Sequence, residues 1–147
     1  MLTDSIHAVR KVVVESIRQM VQQQGLAWTQ AQIIPYVLEL QNSPNHLHRQ
    51  IFVDCLAAIV EFMPPEQIVE IHDQTKTIYN DSVPNMRFRL VQFWDSCFYS
   101  KLAEIDSPKA KAALEEILAQ LQIYREDKDY DVKDFAENFL EKIGKNK

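Results

Sequence analysis

Glycine is almost absent. Only Gly25 and Gly144 stand among 147 residues, beside six prolines. Strands joined by tight turns usually need more of both, so long helices with short connections are expected. Long apolar runs are missing too. The longest uninterrupted one is Cys55–Val60, far short of the roughly 20 residues that cross a bilayer. The N-terminal MLTDSIHAVRK holds no apolar signal core. Positive charge is in deficit: 16 Lys and Arg face 21 Asp and Glu, a net charge of −5. That disfavours nucleic acid as a partner, and no membrane partner is expected. Cysteine is limited to Cys55 and Cys97, both inside apolar helical patterns. Two buried thiols in a reducing compartment are expected, which points to the cytoplasm or nucleus.

What is present is an ordinary globular composition, 46% hydrophobic and 25% charged, in a chain long enough to bury a real core. It also holds a repeat. DSIHAVR ends at Arg10, SPNHLHR at Arg49, DSVPNMR at Arg87 and DKDYDVK at Lys133. Six residues before each base stands Asp4, Ser43, Asp81 or Asp127. The bases are separated by 39, 38 and 46 residues, near the period of about 40–47 for paired-helix repeats of the HEAT and armadillo type. Three residues after each base come Val13, Phe52, Leu90 and Ala136; seven after come Ile17, Leu56, Trp94 and Leu140. Those spacings share one helical face. Each base therefore opens an amphipathic helix, and each acid or serine sits in the loop before it.

A second helix is predicted before each of the last three loops, over Trp28–Leu40, Glu66–Tyr79 and Pro108–Tyr124. Pro35 should kink the first. Leu114, Ile117, Leu118 and Leu121 form the apolar stripe of the last, with Ser107 as cap and Pro108 at its first position. A cation in a first helical turn opposes the macrodipole and needs a carboxylate nearby. Arg87 is expected to reach Asp81 or the equivalent loop of the next pair, giving an acid–base ladder along one edge.

The predicted fold class is all-α, a solenoid of antiparallel HEAT-like helix pairs. Residues 1–25 form a half repeat of loop and second helix; 26–64, 65–105 and 106–147 are full repeats, about three and a half in all. The missing first helix leaves the face of Val9, Val13, Ile17 and Met20 uncapped, which predicts self-association there. It also suggests a piece of a longer solenoid that ends naturally at its C-terminus.

LTDSIHAVRK, TQAQIIPYVLELQNSPNHLHRQ, VPNMRFRLVQ and DYDVKDFAENFL, in that order, resemble the C-terminal end of the scaffold (A) subunits of protein phosphatase 2A. The similarity runs from Leu2 to about Leu140 and is weak over Trp94–Lys111. The resemblance implies a horseshoe of HEAT repeats without activity of its own. Its intra-repeat loops near the C-terminus hold the phosphatase catalytic subunit, and its N-terminal loops hold a regulatory subunit. This chain would carry part of the first platform and none of the second. The matching loop residues are Ser5 and His7; Asn45, His46 and Arg49; Pro84, Asn85 and Arg87; Asp131 and Lys133. Such positions face solvent and can hydrogen-bond a partner. Arg49 and Arg87 are expected to serve the intramolecular ladder, whereas Asn45, His46 and Asn85 are expected to contact the partner.

Other chemistry fares less well. His46 and His48 lie two apart and point nearly opposite ways on a helix, with no acid or thiol cluster to complete a metal site. His7 and His72 read as exposed or core-rim residues. Cys97 with His72 lacks a third orienting group for nucleophilic catalysis. REDKDYD, Arg125–Asp131, lacks the pattern of a calcium loop and reads as a solvated loop with a helix cap. Most of Phe88, Phe93, Trp94, Phe98 and Tyr99 read as core; they cannot all share one helical face, so the competing reading is an exposed interaction patch. No cofactor, metal or enzymatic activity is expected. The competing functions are another HEAT adaptor binding a peptide on its concave face and a DNA-base glycosylase, which the net charge disfavours.

Overall fold

The computed structural model describes residues 2–145, with the side chains of residues 2–7, 9, 10 and 13 outside the described set. Among the described residues every regular element is a helix. The chain divides into two compact units, Met1–Pro64 and Pro65–Lys147.

The first unit begins with α1 (Leu2–Gln24). The loop expected early in residues 1–25 does not form. Neither Gly nor Pro interrupts the chain from Leu2 to Gln24, so one helix runs through it. Gly25 then ends it in a single residue. Its φ of 89° and ψ of 159° lie where an L side chain is strained, and its N–H still reaches the Val21 carbonyl at 2.9 Å. α2 (Leu26–Gln32) and α3 (Ile34–Glu39) follow, broken at Ile33. The kink expected from Pro35 is thus a break, because Pro35 sits in the first turn of α3 without an amide proton to donate. A 3-10 turn, Leu40–Asn42, leads to α4 (His46–Val60). α1 packs mainly on α4. α4 is buried around most of its circumference, from Phe52, Val53 and Cys55 to Val60.

The second unit holds two helix hairpins. α5 (Pro65–Thr75), extended by a 3-10 turn at Lys76–Ile78, precedes α6 (Pro84–Phe93). A π-helical turn, Trp94–Phe98, carries α6 without a break into α7 (Tyr99–Ala103). α8 (Pro108–Tyr124) and α9 (Tyr130–Lys145) form the other hairpin. α5 packs on α8, and α6 on α9, so first helix meets first helix and second meets second. Ser107 caps α8 by accepting from the Ala110 amide at 3.1 Å, with Pro108 next in the chain as expected.

The repeat spacings are now explained. Arg49, Arg87 and Lys133 are each the fourth residue of their helix. The connections 61–64 and 104–107 have equal length, as do the loops 79–83 and 125–129. The longer interval after Arg87 is taken up by helix. Pro84–Ala103 has twenty residues against fifteen in α4, and α8 has seventeen against fourteen in Pro65–Ile78.

The shared-face pattern is realised at Ile17, Phe52, Leu56, Leu90, Trp94 and Ala136, all buried. Val13 lies outside the described side chains. Leu140 is only half-buried, and Phe139 takes the core position beside it. The stripe on α8 is rotated from the expected one: Ala110, Ala113, Ile117, Leu121 and Tyr124 are buried, while Leu114 and Leu118 are partly exposed. The small alanines let that face approach its neighbours closely. Of the aromatic residues, Phe93, Trp94 and Phe98 are core, while Phe88 and Tyr99 are half-buried. Phe93 and Phe98 stack at 4.8 Å, Trp94 lies between Tyr79 and Tyr124, and Phe88 meets Phe135 across α6 and α9. Cys55 is buried, but Cys97 on the π turn is only half-buried, against the expectation of two buried thiols.

Candidate functional site

Three loops are built to one plan. At Ser43, Asp81 and Asp127 the backbone N–H donates to the carbonyl three residues back, at Leu40, Ile78 and Tyr124. The side-chain oxygen of each accepts the amide two residues on: Asn45 at 3.2 Å, Val83 at 2.9 Å and Asp129 at 2.9 Å. This local bond is what Ser and Asp offer a chain entering a helix.

The base six residues later points back toward the loop, as side chains in a first helical turn do. Arg49 Nη1 donates to the Ser43 carbonyl at 2.8 Å, and Arg87 Nη1 donates to the Asp81 carbonyl at 2.6 Å. Arg87 goes further. Its Nε and Nη2 donate to both oxygens of Asp127, at 2.8 and 2.9 Å. Beside this rung the Tyr124 hydroxyl donates to the Tyr79 carbonyl at 2.6 Å. The two loops of the second unit are therefore tied at two points. One rung of the expected ladder is present in this unit, and the cation in the first turn of α6 is offset by the carboxylate of the next loop.

The pair is largely withdrawn from water, at 15% side-chain exposure for Arg87 and 10% for Asp127. Its hydrogen bond to Asp127 raises the Arg87 guanidinium above its ordinary value. Partial burial works to raise the Asp127 carboxyl, but the Arg87 guanidinium and the Asp129 amide outweigh it and hold it below the usual range.

The remaining site residues divide by role. His46, Pro84, Asn85 and Asp131 are exposed, and Lys133 is half-buried. Asn45 is exposed but already employed: its Oδ1 accepts the Leu47 amide at 3.0 Å as the cap of α4. Ser5 and His7 fall within α1 rather than in a loop, and their side chains lie outside the described set. Asp129 supplies the helix cap read in REDKDYD, accepting the amides of Asp131 and Val132. Sequence reasoning passed over Tyr130. It is the first residue of α9, as Pro84 is of α6 and His46 of α4, and it is exposed. Counting three residues back from each base would have found it.

His72 is not at a rim. It is buried, with Nε2 at 2.9 Å from Glu116 and 3.3 Å from the Tyr79 hydroxyl. Lys76 bridges Glu116 at 2.7 Å and Asp73 at 3.0 Å. Its bond to Lys76, then that to His72, lowers the Glu116 carboxyl. This group ties α5 and the turn that follows it to α8. Among the described residues no three His, Cys, Asp or Glu side chains are grouped to hold a metal. No helix among the described residues is long and apolar enough to cross a membrane. No family model matches the chain, and no curated protein matches it.

Proposed function

We propose that this chain is a non-catalytic scaffold segment, a solenoid of about three and a half HEAT-like repeats whose loops bind the catalytic subunit of protein phosphatase 2A. The observation that carries the reading is the loop plan repeated at Ser43, Asp81 and Asp127. A loop held by its own side chain, and in the first two cases by the Arg49 or Arg87 of the following helix, loses little freedom on binding, which favours affinity. Each such loop sets a short row of exposed residues at a helix start: His46, then Pro84 and Asn85, then Asp131. The similarity of LTDSIHAVRK, PNHLHRQ, VPNMRFRLVQ and DYDVKDFAENFL to the scaffold subunits supplies the identity of the partner. Arg49 and Arg87 build the loops; His46, Pro84, Asn85 and Asp131 contact the partner.

Calorimetric titration of the chain with that catalytic subunit tests the reading, run beside a His46→Ala/Asn85→Ala variant. Saturable binding weakened about tenfold or more by the variant is the expected result, since two truncated contacts of 1 kcal/mol or so each amount to that. Binding indifferent to the variant would remove the loop residues from the interface. Absence of binding by folded protein would remove the partner.

A further inference from the structure

Ser43 is the neutral member of the three loops built to one plan; Asp81 and Asp127 hold its place in the other two. Pro44 follows it, and the chain has two Ser-Pro dipeptides, here and at Ser107–Pro108. The backbone around Ser43 is extended. Ser43 has φ −66° and ψ 137°, and Asn45 has φ −85° and ψ 114°; the ring of Pro44 fixes the φ between them. Pro44, Asn45 and His46 are exposed, and Ser43 is half-buried.

Two basic side chains already touch this serine. Its hydroxyl lies 3.0 Å from Nδ1 of the exposed His48, and Arg49 Nη1 donates to its carbonyl at 2.8 Å. Imidazole and guanidinium both supply the N–H donors that a phosphate accepts. Ser107 is placed differently. Its hydroxyl accepts the Ala110 amide as the cap of α8. The residue before it is Asp106, whose carboxylate repels a phosphate and draws Lys111 to itself.

We infer that Ser43 is a phosphorylation site for a proline-directed protein kinase, and that His48 and Arg49 hold the phosphate. A kinase slot without an acceptor for an amide proton takes proline after the serine and rejects residues that would leave an N–H unpaired. The Ser43 oxygen attacks the γ-phosphorus of ATP. The new O–P bond forms as the bond from that phosphorus to the β–γ bridging oxygen breaks. ADP leaves with the electron pair, and the hydroxyl proton passes to the carboxylate base of the kinase. The product carries about −1.5 to −2 charges at neutral pH, at the position where the other loops carry a carboxylate. This charge stands three residues before His46, the first residue of α4, and changes what that loop presents. The modification needs no phosphatase partner, so it is tested apart from the proposed function.

The test is incubation of the full chain with a cyclin-dependent kinase, its cyclin and Mg-ATP, with the product mapped by mass spectrometry. One phosphoryl group on Ser43 is expected, lost in Ser43→Ala and kept in Ser107→Ala. Undiminished incorporation in Ser43→Ala would overturn the inference. So would a folded chain left unmodified while a control Ser-Pro peptide is fully phosphorylated. Urea unfolding of the phosphorylated and unmodified chains then tests what holds the phosphate. Phosphorylation should raise the midpoint, and the rise should be at least halved in a His48→Gln/Arg49→Gln variant. An equal rise in the variant, or a fall in the parent, would remove His48 and Arg49 from that role. Circular dichroism checks the fold; should the double variant unfold, His48→Gln alone carries the comparison.

Discussion

Arg87 grips Asp127 with two parallel hydrogen bonds across forty residues of chain while its third nitrogen holds the Asp81 carbonyl. One side chain thereby closes its own loop and fastens it to the next.

Arg87→Ala should lower stability by roughly 2–4 kcal/mol, because it leaves Asp127 largely buried without its partner. Arg87→Lys should recover only part, since an ammonium cannot present two parallel donors. Lys111, which meets Asp106 at 3.5 Å on an exposed surface, is the contrast: Lys111→Ala should cost about 0–1 kcal/mol. Urea unfolding of the three variants reads these differences directly.

The same pair sets a pH dependence. The Asp127 carboxyl is held below its ordinary value in the folded chain, so its contribution is present above the unfolded value of about 3.9. It is lost as pH falls through the lower folded value. Asp127→Asn should flatten the acid side of the stability profile and leave the neutral side parallel to the parent. A denaturation series from pH 7 down to the acid limit distinguishes the two.

Gly25→Ala should cost about 1–3 kcal/mol, through backbone strain alone. A methyl group there would meet nothing within 4 Å, while the φ of 89° remains. Thermal unfolding of the variant checks this, and Gly144→Ala, at a helical glycine with open space and no positive φ, should be neutral or slightly stabilising.

The two thiols should react unequally. Burial, with a smaller push from Asp54, raises the Cys55 thiol to about 12, so it stays protonated and shielded at neutral pH. Cys97 is half-buried on the π turn. A thiol-specific chromogenic reagent should label one site quickly under native conditions and the second only after unfolding. Cys97→Ser should abolish the fast phase.

From Ser43 onward, helices, caps and loop register were legible in the sequence because each rests on a local rule; the loop read at Asp4 failed because nothing there breaks α1. Ser107 before Pro108 marks a helix start by itself, and the six-residue step from Ser43, Asp81 or Asp127 to the following base can be counted. Arg87 with Asp127 was foreseen because a cation in a first turn needs an anion, although which loop supplied it was left open. What depended on neighbours was not legible. The burial of His72 is decided by Glu116 arriving from α8, and the rotation of the α8 stripe by how closely two alanines can seat. The π turn at Trp94–Phe98 has no marker in composition. The capping bond of Asn45 to the Leu47 amide was passed over because Asn45 was read for a partner alone.

The matched connections of the second unit carry one further consequence. Arg87 and Tyr124 fix the level of the two loops relative to each other, so extra residues in the helices cannot shift that edge. They emerge instead around Glu104–Ser107, where the longer helices turn. The second unit thus has one margin where the two connections match in length and one where the added helical residues end.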